Sequence, residues 1–207
     1  MKSISVMKTT KIEKIYSQEI NMSKKKILIA ILLLLLTTLA CRSALPQEKE
    51  ASPPSEVYIG LRNIWFTTSP EESGFSVEPN SNTPFVVVMD IGFEEGTATI
   101  VSSIAGDGSM YTSGGGGIIG GIDHEKVRNA SINFVEMAAD FVDKMEPVTE
   151  YPLPGAENVK FYLVTPNGIF TTEEINADLL ASGDHELSPL FLAGNEVITE
   201  LRGISGE

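Results

Sequence analysis

Both histidines of the chain lie in the same triplet, Asp123-His124-Glu125 and Asp184-His185-Glu186. Two imidazoles with several carboxylates supply the nitrogen and oxygen donors that zinc or a similar ion takes. Either imidazole beside a carboxylate is also a potential general base. A metal-dependent or general-base hydrolase using His124 and His185 with Asp123 and Asp184 is therefore one expectation. Neither triplet has the His-x-x-x-His spacing that sets two ligands on one helical face. Each stands at or near a predicted helix start, where capping and dipole effects favour Asp and Glu without any catalytic role.

A literal GxGxxG occurs at Gly115, Gly117 and Gly120, ahead of a predicted helix whose free N–H groups could hold an anion. A dinucleotide site also requires a parallel strand ending in an acidic residue, and the next strand pattern begins only near Val159, beyond a proline-rich connector. The plainer expectation is a loop whose backbone runs too close to another element for a Cβ. Asp107-Gly108 lacks the further oxygen ligands of a calcium loop, and no serine sits in a nucleophile elbow. No metal or cofactor is implied. Trp65, Phe66 and Phe75 could form an aromatic patch, or close the edge of a core.

The elements that must position these groups are read from periodicity. Ser55 caps a helix over Glu56 to Phe66, whose apolar positions Val57, Leu61, Ile64 and Trp65 predict its buried side. Pro70 opens a second short helical turn. The valine-rich run Pro84 to Ile91 reads as a strand buried on both faces. Gly96 to Ile104 alternates as a half-buried strand, and Gly106-Asp107-Gly108 turns the chain into a third, Ser109 to Ser113. A long helix capped by Asp123 carries Val127, Ala130, Phe134, Met137, Ala138, Phe141 and Met145 on one stripe and stops at Pro147. Two strands joined at Pro166-Asn167-Gly168 follow, then a short helix from Glu173 to Leu180. The last helix opens at Ser188-Pro189 and buries Leu190, Phe191, Val197, Ile198 and Leu201. The expected fold is a single α+β domain over 55–207. A mainly antiparallel sheet of about five strands has one face covered by the long and C-terminal helices. This order of elements loosely resembles profilin-like and roadblock-like domains.

The remaining chemistry is a thiol. Cys41 is the only cysteine. Before it stand Lys24-Lys25-Lys26 and an apolar run from Ile27 to Ala40. A positive segment, an apolar core and small residues at the end make an export signal over 22–40. Its close, Thr37-Thr38-Leu39-Ala40-Cys41, resembles the lipobox of bacterial lipoprotein precursors. Thr38 and Leu39 stand where that family prefers leucine and a small residue. The resemblance implies diacylglyceryl attachment at Cys41, cleavage before it, and a membrane held through acyl chains. Arg42 in the following position implies sorting to the outer membrane if the host has two membranes. Cleavage by an ordinary signal peptidase after Ala40 and an uncleaved anchor are the alternatives, although the apolar run is short of the ~20 residues a bilayer requires. A lone thiol has no intramolecular disulfide partner in an oxidising compartment, which favours its conversion to a thioether. Residues 1–21, with Glu13 and Glu19, read as an over-extended start. Residues 41–54, with three prolines, read as a flexible tether.

Removing residues 1–40 takes seven lysines and two glutamates from 15 basic and 28 acidic residues, leaving a net charge of −18. Such a surface repels phosphate backbones, which excludes nucleic acid as the expected partner. A non-catalytic domain on a membrane tether, binding an envelope protein or a small ligand, is the leading expectation for function.

Overall fold

The apolar run near Val86 sets the architecture. In the computed structural model, which describes residues 53–206, Val86–Phe93 forms strand β1, with antiparallel neighbours on both sides. One neighbour is β2 (Gly96–Ser103), followed outward by β3 (Gly108–Thr112) and β4 (Gly117–Ile118). The other is β6 (Asn158–Thr165), followed outward by β7 (Gly168–Thr171) and β5 (Glu146–Val148). Strand β8 (Ile175–Asn176) pairs with the first residues of β6. Eight strands thus replace the expected five. The three additional ones are pairings of only two or three residues, too short to carry a period.

The described residues have two cores, one on each face of the sheet. Val87, Met89 and Ile91 of β1 join Ile100, Val159, Phe161 and Leu163 under helices α2 (Glu125–Ala139) and α4 (Ser188–Ser205). The alternate residues Val86 and Val88 join Val101, Tyr111, Tyr162 and Val164 under helix α1 (Glu56–Thr67). The expectation that helices cover one face is corrected: α1 covers the other. The polar side of β2 is buried as well: Thr97, Thr99 and Ser103 lie inside rather than on a half-buried face, Thr99 against Tyr58 of α1.

Other boundaries shift for local reasons. The long helix ends at Ala139, not Met145, because the chain tightens into a 3₁₀ turn at Val142–Lys144. Pro147 then sits in the edge strand β5, where a missing N–H is harmless. Residues Glu173 to Leu180 do not form one helix: Ile175 and Asn176 pair with β6, and Asn176 then caps a shorter helix, α3 (Ala177–Ser182). Gly183 ends α3 in the left-handed region, as glycine readily does. Among the described residues no helix is long and apolar enough to cross a membrane. Cys41, the predicted signal and the tether up to residue 52 lie outside the described residues.

Candidate functional site

The two histidine triplets are not brought together. Asp123 closes a 3₁₀ turn at Gly121–Asp123, and His124 takes the N-cap position of α2 without a side-chain hydrogen bond. The expected Asp123 cap is therefore displaced by one residue, because the glycine hairpin delivers the chain through that turn. Asp123 and His124 are exposed. His185 lies past the far end of α2, in a cleft with Lys144, Glu173, Glu174, Asn176 and Glu186. A helix of 15 residues, ~22 Å at 1.5 Å per residue, separates the two imidazoles, so one ion with bonds of ~2.1 Å cannot bridge them.

Several polar atoms in and beside the His185 cleft have partners. The Nδ1 of His185 accepts the Leu187 N–H at 3.1 Å. Glu186 pairs with Lys144 at 2.7 Å, and the lysine's hydrogen bond and charge hold its carboxyl below the usual range. Glu174 accepts the Gly155 N–H at 3.0 Å. Asp184 accepts from the Ser182 hydroxyl at 3.0 Å. Among the described residues no group of three or more His, Cys, Asp or Glu is placed to hold a metal ion.

Periodicity misses the most polar constellation of the fold. Arg62 of α1 reaches the sheet and meets Asp90 of β1, donating from Nη2 at 2.6 Å and from Nε at 3.0 Å. Both residues are buried, at 2% and 0% exposure. The Arg62 Nη1 donates to the Tyr151 carbonyl at 3.0 Å, and the guanidinium lies 4.8 Å from the Phe66 ring centre. Thr99, directly across from Asp90 in the β1–β2 register, donates its hydroxyl to the carboxylate at 2.5 Å. Its only proton is then committed, so the Tyr58 phenol is the donor in the 2.7 Å contact between the two hydroxyls. Burial pushes Asp90 up from the ordinary carboxylate range, while Arg62 and Thr99 pull it back. Burial also pushes the Tyr58 phenol up to about 12. The Asp90 side chain is fully enclosed. The network clamps α1 to the sheet.

That clamp turns α1 over. Tyr58, Arg62 and Phe66 face inward, and the predicted buried stripe instead faces out: Val57 is 72% exposed and Ile64 54%. Leu61 and Trp65 are half-buried at its flank. A signal was available: Asp90 interrupts a strand read as buried, and Arg62 is the sole lysine or arginine between Glu50 and Glu125.

Beside this outward stripe lies the glycine run, which forms the β3–β4 hairpin. Thr112 fastens it, accepting the Gly115 N–H at 3.0 Å and donating its hydroxyl to the Gly115 carbonyl at 2.7 Å. The crowding expected of these glycines holds at Gly117, where a Cβ would stand 2.3 Å from the Met110 carbonyl oxygen. It fails at Gly115 and Gly120, which have open space and are left-handed instead. The motif leads into the 3₁₀ turn rather than directly into α2, which leaves it without the strand, loop and helix of a dinucleotide site.

Between α1 and the hairpin is a cleft of about 280 Å³, lined by Val57, Tyr58, Leu61, Tyr111 and Ile119 with Gly115–Gly117. This volume falls just below the ~300–1,000 Å³ of pockets that enclose small molecules. Ser55, which lines one end, accepts the Tyr58 N–H as the N-cap of α1. No charged residue occurs from Gly108 to Ile122, and Glu56 is the only exposed charge on α1. The cleft and its rim therefore form an apolar, nearly uncharged surface on a strongly acidic domain. No protein-family profile, curated protein or solved structure matches the chain.

Proposed function

We propose that this protein is a lipid-anchored component of a bacterial cell envelope whose folded domain acts by surface recognition rather than catalysis. The observation that carries the anchor is the order Lys24-Lys25-Lys26, Ile27 to Ala40, Cys41. A single thiol placed after such a segment is positioned for acylation, and two or more acyl chains hold a protein at a membrane stably where one does not. The recognition reading is supported by the polar groups. Arg62 and Asp90 are buried against each other, the His185 Nδ1 is engaged by the backbone, and the two histidines stand at opposite ends of α2. The apolar cleft beside α1 is the surface offered for binding.

The test is incorporation of labelled palmitate in a bacterial host, comparing wild type with Cys41→Ala. The reading expects label on wild type alone and a membrane pool that Cys41→Ala empties. Equal, unlabelled products in the soluble fraction would contradict it. For the domain, His124→Gln with His185→Asn is expected to keep the fold by circular dichroism and to leave binding through the α1 cleft unchanged; loss of a hydrolytic activity in that variant would contradict the reading.

A further inference from the structure

We propose that the outward face of α1, together with Ile119 just after the glycine hairpin, docks on the lipid interface of the membrane that holds the anchor. The inference rests on the anchored reading above and names the partner of its recognition surface.

Residues 57, 61, 64 and 65 fall within an arc of about 100° on a helix of 3.6 residues per turn. In this chain they are Val57, Leu61, Ile64 and Trp65: Val57 and Ile64 are exposed, and Leu61 and Trp65 are half-buried against the core at the flank. Ile119, 63% exposed just after the hairpin, extends that face across the cleft. Large apolar side chains left in water on a nearly uncharged patch are the mark of a surface that is covered in use.

Two observations select lipid as the cover. First, α1 is the first folded element after Cys41, and Ser55 at its start lines the cleft. Fourteen residue steps, at most about 50 Å even when extended, keep the domain within that reach of an acyl chain on Cys41. Confinement raises the effective concentration of membrane at the patch, so weak apolar insertion suffices. Second, the rest of the domain carries a large negative charge that anionic headgroups repel, whereas this face combines exposed apolar side chains with a near absence of charge. Trp65, at the flank with its Nε1–H directed at the Tyr111 hydroxyl 3.4 Å away, is of the residue type that favours the headgroup level. With no basic residue exposed on the helix, docking should prefer zwitterionic lipid.

Trp65 is the only tryptophan of the chain, so the surface carries its own reporter. Full-length protein purified from membranes is mixed with phosphatidylcholine vesicles brominated at shallow or deep acyl positions. Docking predicts a blue shift and loss of roughly half of the Trp65 emission with shallow bromines, since an interfacial helix enters only ~5–10 Å. The double variant Val57→Asp, Ile64→Asp changes two exposed positions and should keep wild-type circular dichroism. It should still float with vesicles through its acyl chains while its emission escapes quenching.

Flotation with unchanged wild-type emission would overturn docking and leave the anchor intact. Quenching that persists in the double variant would also overturn it. An emission shift that follows protein concentration without vesicles would assign the face to a second copy. A shift that appears only with envelope extract would assign it to a protein. If the purified chain carries no acyl group, the anchor reading fails. Docking is then judged alone by vesicle titration: a saturable blue shift supports it, and a flat signal rejects it.

Discussion

The ion pair between Arg62 and Asp90 is the residue-scale feature on which the rest of the molecule turns. A buried pair adds little net stability over apolar residues of similar volume, but removing one partner strands the other charge at a cost of about 3–5 kcal/mol. Arg62→Met should therefore destabilise the domain by about that amount in urea unfolding. Arg62→Met with Asp90→Leu should recover most of it. Equal losses in the single and double variants would show that the pair does not act as a unit. The Tyr58 phenol gives a second prediction. Its folded-state pKa is raised by burial to about 12, against ~10 in an unfolded chain. The stability it contributes is fully present below pH ~10 and is lost as pH rises through about 12. Phenolate absorbance should show Tyr58 ionising together with unfolding, and Tyr58→Phe should flatten stability across that window. The sequence held the clue to this network in two misplaced charges, Arg62 in an apolar helix and Asp90 in an apolar strand. What it could not show was that they meet, because contact across 28 positions depends on how α1 lies on the sheet.

Elements with a strong period were legible and elements defined by pairing alone were not. The valine run of β1, the cap of α1 by Ser55, the hairpin before Gly168 and the start of α4 at Ser188-Pro189 all follow their local chemistry. The two-residue strands β4 and β8 have no period to read. Helix α1 illustrates the limit: its existence was legible and its orientation was not, because hydrophobic periodicity ranks Val57 and Ile64 above an arginine. The end of β1 shows a different constraint. A Cβ on Gly92 would stand 2.0 Å from the Gly155 carbonyl oxygen and 3.0 Å from that of Pro154. The Gly92 carbonyl also accepts the Glu157 N–H at 2.9 Å. Gly92→Ala must push the connector away from the strand and should cost about 1–3 kcal/mol, as overpacking of backbone does. A melting temperature equal to wild type would mean that the connector yields freely.

At the scale of the whole molecule, an acidic domain carries a face that is apolar and almost uncharged, built on the first helix after Cys41 in the sequence. The charge keeps the domain dispersed and makes its encounter with anionic surfaces unfavourable. Replacing zwitterionic lipid stepwise with phosphatidylglycerol should weaken Trp65 quenching, and added salt should restore it by screening. Quenching that strengthens with anionic lipid would point to attraction through a basic site instead. The candidate surface was half visible in the sequence: the stripe and the glycine run could each be read, but not that they flank one cleft. The anchored reading itself rests on the thioether at Cys41. The intact mass of the mature protein extracted from membranes tests that claim most directly. The account predicts a chain beginning at Cys41 with the added mass of a diacylglyceryl group, and it is contradicted by an unmodified chain, whatever residue that chain begins with.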